Sequence, residues 1–179
     1  MSTVTIPRPN ADEHVEYYSR YISKVPDGDL IAMLRDQMVE TVGLLSGLSD
    51  EQGNYAYAPG KWTIKEVIGH IADAERVFQY RALTFARSPG SSLPGFDENA
   101  WVPTGDFNRR TVADLLEELQ VVRASTVQLA RHFDEEMLKQ RGSANGNDIT
   151  VRALLYIIAG HERHHVALFR ERYLKKASS

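Results

Sequence analysis

The sequence contains no cysteine, which excludes disulfide bonds and any metal site built from thiolates. It also lacks the roughly 18 consecutive apolar residues that a membrane-spanning helix requires, and residues 1–12 lack the apolar core of a signal peptide. The 21 basic residues are outnumbered by 24 acidic ones and form no cluster, which argues against a nucleic-acid partner because phosphate binding needs clustered positive charge. We therefore expect a cytoplasmic protein that binds neither membranes nor nucleic acids.

The apolar residues that are present suffice for one globular domain. Hydrophobic residues make up 42% of the 179 positions and charged residues 25%, which is the balance of a folded protein rather than a disordered one. Because the length suits one domain and no repeat or low-complexity tract divides the chain, we expect a single domain over residues 1–179.

Four long segments space their apolar residues as helices do, and none alternates like a strand. The segments run from near Asp29 to about Gly47, from Thr63 to about Ala86, from Thr111 past Leu129 and from Thr150 to about Leu174. The second opens with a capping box, in which the Thr63 hydroxyl accepts a helix N–H and Glu66 reaches back. A short helix within residues 13–24 is expected to precede them.

Two connections shape the expected topology. Residues 88–110 are too many for a tight antiparallel hairpin, so we expect a crossover there, ordered over a functional site. A polar, hairpin-like stretch over residues 142–148 separates the last two long helices. Helices of about 18–25 residues span roughly 27–37 Å. Together these features predict an all-α fold, a four-helix bundle with a long crossover loop and short accessory helices.

Three of the six histidines point to a metal site. His161 and His165 stand one helical turn apart on an apolar face, the spacing at which two imidazoles can share an ion. His70 lies in the apolar stripe of the second long helix. A lone inward histidine is more often satisfied by one hydrogen bond, but two adjacent buried imidazoles are costly without a metal. The three side chains are therefore predicted to hold one divalent metal ion.

The string from His161 to His165 can also be interpreted as the H-E-x-x-H motif of zinc proteases, with Glu162 activating a metal-bound water. The metzincin extension of that motif requires glycine at position 168 and histidine at position 171, where Leu168 and Glu171 stand. The sequence also gives no sign of the sheet on which such proteases build their cleft. The protease interpretation is therefore the poorer one.

The alternative interpretation uses His70, upstream of the string, as the third metal ligand. It is supported by three stretches of sequence. They are Lys61-Trp-Thr-Ile-Lys-Glu-Val-Ile-Gly-His70-Ile-Ala-Asp73, Leu93-Pro-Gly-Phe-Asp97 and Ile158-Ala-Gly-His161-Glu-Arg-His-His165. In these stretches, and over nearly its whole length, the chain resembles the DinB-like family of metalloenzymes. The resemblance implies a four-helix bundle, a metal ion that is usually zinc or nickel, and commonly a homodimer. The ligand positions of the family fall on His70, His161 and His165.

Three neutral imidazoles leave coordination positions open for water or substrate. A divalent cation lowers the pKa of bound water towards neutrality, which supports hydrolysis, and it can equally activate a thiol as thiolate. The resemblance implies hydrolases, isomerases or thiol-dependent S-transferases, so the expected partner is a small molecule, with a low-molecular-weight thiol as one option. The remaining alternative is a non-catalytic metal-binding stress-response protein in which the ion is structural.

Two carboxylates are predicted to assist the metal. Asp73 follows His70 by one turn and Glu66 precedes it by one turn, so either could orient its imidazole by accepting the other ring N–H. Because Glu66 is already engaged in the capping box, Asp73 is the favoured candidate. Glu162 is expected either to approach the open side of the metal or to be an exposed carboxylate paired with Arg163 or Arg81.

An aromatic entrance is predicted beside the metal. Trp62, Phe96 and Trp101 are its expected lining, and residues 88–110 are expected to act as a lid.

Overall fold

The computed structural model describes residues 5–175 and contains, within that range, eight α-helices and three short strands. The helices are α1 Glu16–Ile22, α2 Leu30–Leu45, α3 Asp50–Gly53, α4 Ile64–Arg87, α5 Glu98–Gly105, α6 Val112–Ala130, α7 Glu135–Lys139 and α8 Val151–Leu168, which continues as a π-helical turn over Phe169–Tyr173. The strands are β1 Ser92–Leu93, β2 Arg141–Ala144 and β3 Asn147–Thr150, and 3-10 turns occupy Ala11–Glu13 and Phe107–Arg109.

The four long helices begin where their capping residues predict. The Asp29 carboxylate accepts hydrogen bonds from two backbone N–H groups at the start of α2, and Thr63 and Glu66 form the predicted capping box of α4. The hydroxyls of Thr111 and Thr150 cap α6 and α8 in the same way. Each cap satisfies N–H groups that the first helical turn leaves free and contributes about 1 kcal/mol.

The long helices α2, α4, α6 and α8 form the predicted four-helix bundle. Helix α4 packs against α6 and α8, and α2 packs against the same two helices. Helices α2 and α4 therefore lie at opposite corners of the bundle, as do α6 and α8. The connection between α4 and α6 joins neighbours, whereas the connections from α2 to α4 and from α6 to α8 run between diagonally opposite helices. The short helix α1 packs along α8.

The connections contain more regular structure than the sequence indicates. Residues 88–110 include β1, α5 and a 3-10 turn, and residues 141–150 form an antiparallel hairpin that pairs with β1. Asn145 and Gly146 have positive φ values of 53° and 74°, the conformation of a type I′ hairpin turn. The hairpin-like stretch expected over residues 142–148 is therefore a hairpin, and its pairing with β1 was not expected because strands of two to four residues are too short for alternation to show.

A layer of polar side chains divides the apolar core into two clusters. One cluster lies among α1, the C-terminal half of α4 and the N-terminal half of α8, and the other lies among the C-terminal half of α2, the N-terminal halves of α4 and α6, and the π-helical turn. Between them all four long helices contribute buried polar residues, which we call the polar layer: Gln37, Thr41, His70, Glu75, Arg123, His161, Glu162 and His165.

Two glycines allow close packing beside the predicted ligands. A Cβ atom on Gly160 would lie 2.1 Å from the backbone oxygen of Tyr21, so α1 can approach α8 only where this residue has no side chain. A Cβ atom on Gly69 would lie 2.3 Å from the ring of Phe107. Each glycine directly precedes a predicted metal ligand, so the packing it permits helps to position that histidine.

No helix within residues 5–175 combines the length and the apolar character needed to cross a membrane.

Substitution of Gly160 tests the close approach of α1 and α8. The variant Gly160→Ala is expected to lose about 1–3 kcal/mol of unfolding free energy, because the colliding atom belongs to the backbone and cannot rotate away. The matched control is Gly43→Ala in α2, where an added Cβ meets nothing within 4 Å and should stabilise the helix by about 0.5–1 kcal/mol. Urea unfolding measures both, and a Gly160→Ala protein as stable as the parent would contradict the packing described.

Candidate metal centre

The three histidines predicted as ligands meet in the polar layer. Nε2 of His70 lies 3.0 Å from Nε2 of His161, and Nε2 of His165 lies 3.2 Å from the same atom. All three side chains are buried, with between 5% and 7% of their surface exposed. His161 and His165 come from successive turns of α8, and His70 comes from the neighbouring helix α4. Within residues 5–175 they form one group whose potential ligand atoms lie within 4.8 Å of one another.

The spacing of these nitrogens fits a shared ion. Nitrogens bound at 2.0–2.1 Å to one metal lie about 2.9–3.4 Å apart when the angle between ligands is 90–110°, which covers the observed separations. Hydrogen bonding alone does not account for the cluster. A neutral imidazole nitrogen carries either one hydrogen or one lone pair, so Nε2 of His161 cannot make good hydrogen bonds to both of its neighbours.

The surroundings keep all three imidazoles neutral. Burial lowers the pKa of His70 to about 4. Burial and the proximity of the other histidines hold the pKa values of His161 and His165 well below the ordinary range. Neutral rings present the lone pairs that a metal requires, so near pH 7 the cluster needs to release no protons when it takes up an ion.

Aromatic side chains surround the histidine cluster. The ring centre of Trp62 lies 4.8 Å from that of His70, and the rings of Tyr21 and Phe78 lie 5.4 Å and 6.1 Å from that of His161. Such apolar walls lower the local dielectric, which strengthens the effect of any charge at the cluster.

Two cavities lined by described residues reach the cluster. The larger, of about 290 Å³, is lined by His70 and His161, and by Phe96 from the 88–110 segment. The other, of about 240 Å³, is lined by His165 and Trp62. The predicted aromatic entrance is thus divided between two openings, and Trp101, which is 42% exposed, packs outside on Phe96 with ring centres 5.0 Å apart. Residues 88–110 contribute to both cavities, as a covering segment would.

Glu162 does not occupy either position expected for it. Its carboxylate is fully buried and accepts hydrogen bonds from Arg123 Nη1 at 2.7 Å, from Thr41 Oγ1 at 2.6 Å and from Gln37. Successive residues on a helix point about 100° apart, so Glu162 faces α2 and α6 while the neighbouring His161 faces α4. It is therefore neither an exposed carboxylate nor the free base that an H-E-x-x-H protease requires.

Asp73 is likewise engaged away from the cluster. Its carboxylate accepts a hydrogen bond from Arg76 at 3.3 Å, and Arg76 also pairs with Glu118. No hydrogen bond joins Asp73 to His70 in the described part of the chain. The expected orientation of the His70 ring by Asp73 is therefore absent, because the nearby arginine binds the carboxylate on the outer face of α4.

The sequence did not reveal the buried ion cluster formed by Arg123, Glu75 and Glu162. The Arg123 guanidinium donates from Nε and Nη2 to the two oxygens of Glu75 at 2.8 Å and 2.7 Å, and from Nη1 to Glu162. A signal was present, since Arg123 stands one turn after Leu119 and one turn before Thr126, both on the buried face of α6.

Removal of the central cation tests this cluster. The variant Arg123→Met leaves two carboxylates buried without their partner and is expected to cost about 3–5 kcal/mol of unfolding free energy. Arg131→Met, at an exposed position at the end of the same helix, should change stability little. Denaturant titration compares the two variants, and equal stability would show that the cluster does not hold the helices together.

The pH dependence of stability tests the burial of the histidines. In protein stripped of metal by a chelator, the unfolded chain takes up protons near pH 6.5 while the buried rings stay neutral. Stability is therefore expected to fall as the pH drops from 7 to 5, by about 1.4 kcal/mol per pH unit for each buried histidine. His70→Gln should reduce this slope, and His132→Gln, at an exposed position, should not. A flat profile over this range would contradict the lowered pKa values.

Comparison with known proteins identifies the family. Residues 33–169 match the sequence model of the DinB superfamily. A protein of Oceanobacillus iheyensis, provisionally named a metal-dependent hydrolase, is 31% identical over 135 residues, which cover 74% of this chain and 75% of the relative. A Geobacillus kaustophilus protein with the same provisional name is 29% identical over 141 residues, covering 76% and 78% of the two chains.

Solved structures share the fold. YfiT from Bacillus subtilis, described as having an unusual four-helix bundle topology, superposes with a TM-score of 0.75 at 20% identity and covers 97% of this chain and 95% of its own. The mycothiol-dependent maleylpyruvate isomerase superposes with a TM-score of 0.65 at 13% identity, covering 82% of this chain and 61% of the isomerase. With the family match spanning most of the sequence, these findings lead to one conclusion: the chain belongs to the DinB superfamily.

Proposed function

We propose that this protein is a metal-dependent hydrolase that holds one divalent ion with His70, His161 and His165. The observation that carries the proposal is the convergence of three buried, neutral Nε2 atoms, 3.0 Å and 3.2 Å apart, beside a cavity of small-molecule size. The provisional names of the curated relatives support the hydrolase class. Zinc and nickel are the proposed ions, since imidazole nitrogens suit both.

The chain supplies the binding site and the surroundings of the reaction. A bound divalent ion acts as a Lewis acid that lowers the pKa of water or of a thiol. The aromatic walls formed by Tyr21, Phe78 and Phe96 exclude bulk water and favour the apolar part of a substrate. Glu98 is the carboxylate among the described residues that line the larger cavity, so it is the proposed proton acceptor. Glu162 instead keeps α8 in place through Arg123.

A thiol substrate is a second candidate, favoured by the position of Glu162. Because Arg123 neutralises that carboxylate, no acidic side chain of the described residues joins the three ligand atoms. Hydrolysis usually benefits from a base beside the attacking water, whereas a thiol ionises far more readily than water and would lose its proton to solvent water without such a base. The fold shared with a mycothiol-dependent enzyme is compatible with this reaction class.

Metal analysis of variants tests the proposed ligands. Protein purified without an affinity tag is expected to carry one zinc or nickel ion per chain. His70→Ala and His161→Ala should each lower the bound metal at least tenfold, because two imidazoles hold an ion far less tightly than three. The matched control is His164→Ala, which removes a histidine outside the ligand group and should retain the ion. Full occupancy in His70→Ala would contradict the three-histidine site and would favour the H-E-x-x-H alternative.

Metal removal separates an enzyme from a stress-response protein with a structural ion. The enzyme is expected to lose turnover when the ion is chelated and to regain it on reloading, in a screen of ester and amide hydrolysis and of thiol addition. A structural ion would instead lower the melting temperature strongly while no reaction is found with the loaded protein. The homodimer implied by the family stays a prediction, which light scattering tests.

A further inference from the structure

Arg81 is a buried arginine to which no carboxylate of residues 5–175 is paired. It lies on α4, is 3% exposed and lines the larger cavity together with His70 and His161. Its guanidinium donates from Nη2 to the backbone oxygen of Pro94 at 2.9 Å and interacts with the Tyr18 hydroxyl, and among the described residues no carboxylate forms an ion pair with it. Arg123, which is similarly buried, contacts two carboxylates. A buried cation without a counter-charge is costly unless a ligand supplies one.

The groups around Arg81 do not neutralise it. Its Cζ atom lies 5.9 Å and 5.7 Å from the ring centres of Phe78 and Phe96, contacts that attract a cation without cancelling its charge. Burial raises the pKa of the nearby Tyr18 although the positive guanidinium opposes the shift, so this phenol stays neutral near pH 7. Glu98 lines the same cavity but forms no ion pair with Arg81. The guanidinium is therefore a free positive charge on the cavity wall.

The Phe78 ring lies close to both this charge and the histidine cluster. Its centre is 5.9 Å from Cζ of Arg81 and 6.1 Å from the ring centre of His161. The cavity thus has a cationic end at Arg81, an apolar wall at Phe78 and Phe96, and a metal-facing end at His70 and His161.

We propose that this cavity binds a small carboxylate, with the anionic group on Arg81 and the reacting group at the histidine cluster, separated by about the length of an aromatic ring. The inference rests on the proposed function of the histidine site and names the class of substrate that the site would take. A guanidinium presents parallel N–H groups that match the two oxygens of a carboxylate. The Pro94 carbonyl and the Tyr18 hydroxyl engage only part of the five guanidinium donors, so the others are available to the ligand.

A matched pair of probes tests this substrate class. The zinc-loaded full-length protein is titrated calorimetrically with 4-(mercaptomethyl)benzoate and with 4-(mercaptomethyl)benzamide, which share the thiol and the ring but differ in charge. The acid is expected to bind at least tenfold more tightly than the amide, the factor typical of a charge-assisted hydrogen-bonded pair. Arg81→Gln should abolish the preference and Arg81→Lys should reduce it. Arg87→Gln, at an exposed position on the same helix, should leave it unchanged.

The outcomes distinguish this inference from the proposed metal site. Equal affinities for acid and amide in the parent protein, or a preference that survives in Arg81→Gln, would overturn the role of Arg81 while leaving the metal site intact. Failure of the metal site has a different signature, because neither thiol would then change the visible spectrum of cobalt-substituted protein. In that event the same pair is titrated against the metal-free chain, where Arg81 is still expected to favour the acid. If Arg81→Gln does not fold, the ratio of affinities for the acid and the amide is compared between the parent protein and Arg81→Lys. An equal ratio in the two proteins would overturn the role of Arg81.

Discussion

The ion cluster of Arg123 with Glu75 and Glu162 is the interaction on which the candidate metal site depends. One guanidinium on α6 binds a carboxylate from α4 and another from α8, so it fixes the rotation of both helices that carry the histidines. On α8 the consequence is direct. When Glu162 is held towards α6 and α2, the preceding residue His161 and the following turn with His165 must face α4, where His70 lies. The geometry of the three imidazoles therefore follows from a contact that includes none of them.

The polar layer places charged and polar side chains at core positions where well-packed apolar residues would give greater stability. Buried ion pairs seldom add stability compared with well-packed hydrophobic residues, because desolvating the charges offsets their attraction. In this bundle the two apolar clusters on either side of the polar layer provide the driving force for folding, and the layer between them specifies one arrangement of the helices. We infer that the ion cluster is kept for this specificity. A bound metal would offset part of this desolvation free energy, since a ligand that binds only the folded state stabilises it.

The sequence predicts the helices and the histidine cluster because both depend on local spacing. Capping residues such as Thr63 and Thr150 mark helix starts, and the one-turn spacing of His161 and His165 with an inward His70 is sufficient to bring three imidazoles together. The ion cluster escapes such reasoning because arginine and glutamate are seldom fully buried, and only Leu119 and Thr126 on either side of Arg123 indicate that it faces inward. The position of Glu162 could not be predicted for the same reason, because its side chain points towards Arg123 on another helix. The small sheet could not be predicted because its strands are too short to show the alternation of apolar and polar residues.

X-ray absorption spectroscopy of metal in the tag-free protein examines the three-histidine site itself, because it reports the atoms that surround the ion. Three nitrogen ligands are expected at about 2.0–2.1 Å, with the outer-shell scattering of imidazole rings and one or more lighter ligands at the open positions. A coordination sphere dominated by carboxylate or water oxygen, or one with a single imidazole, would show that His70, His161 and His165 do not hold the ion together.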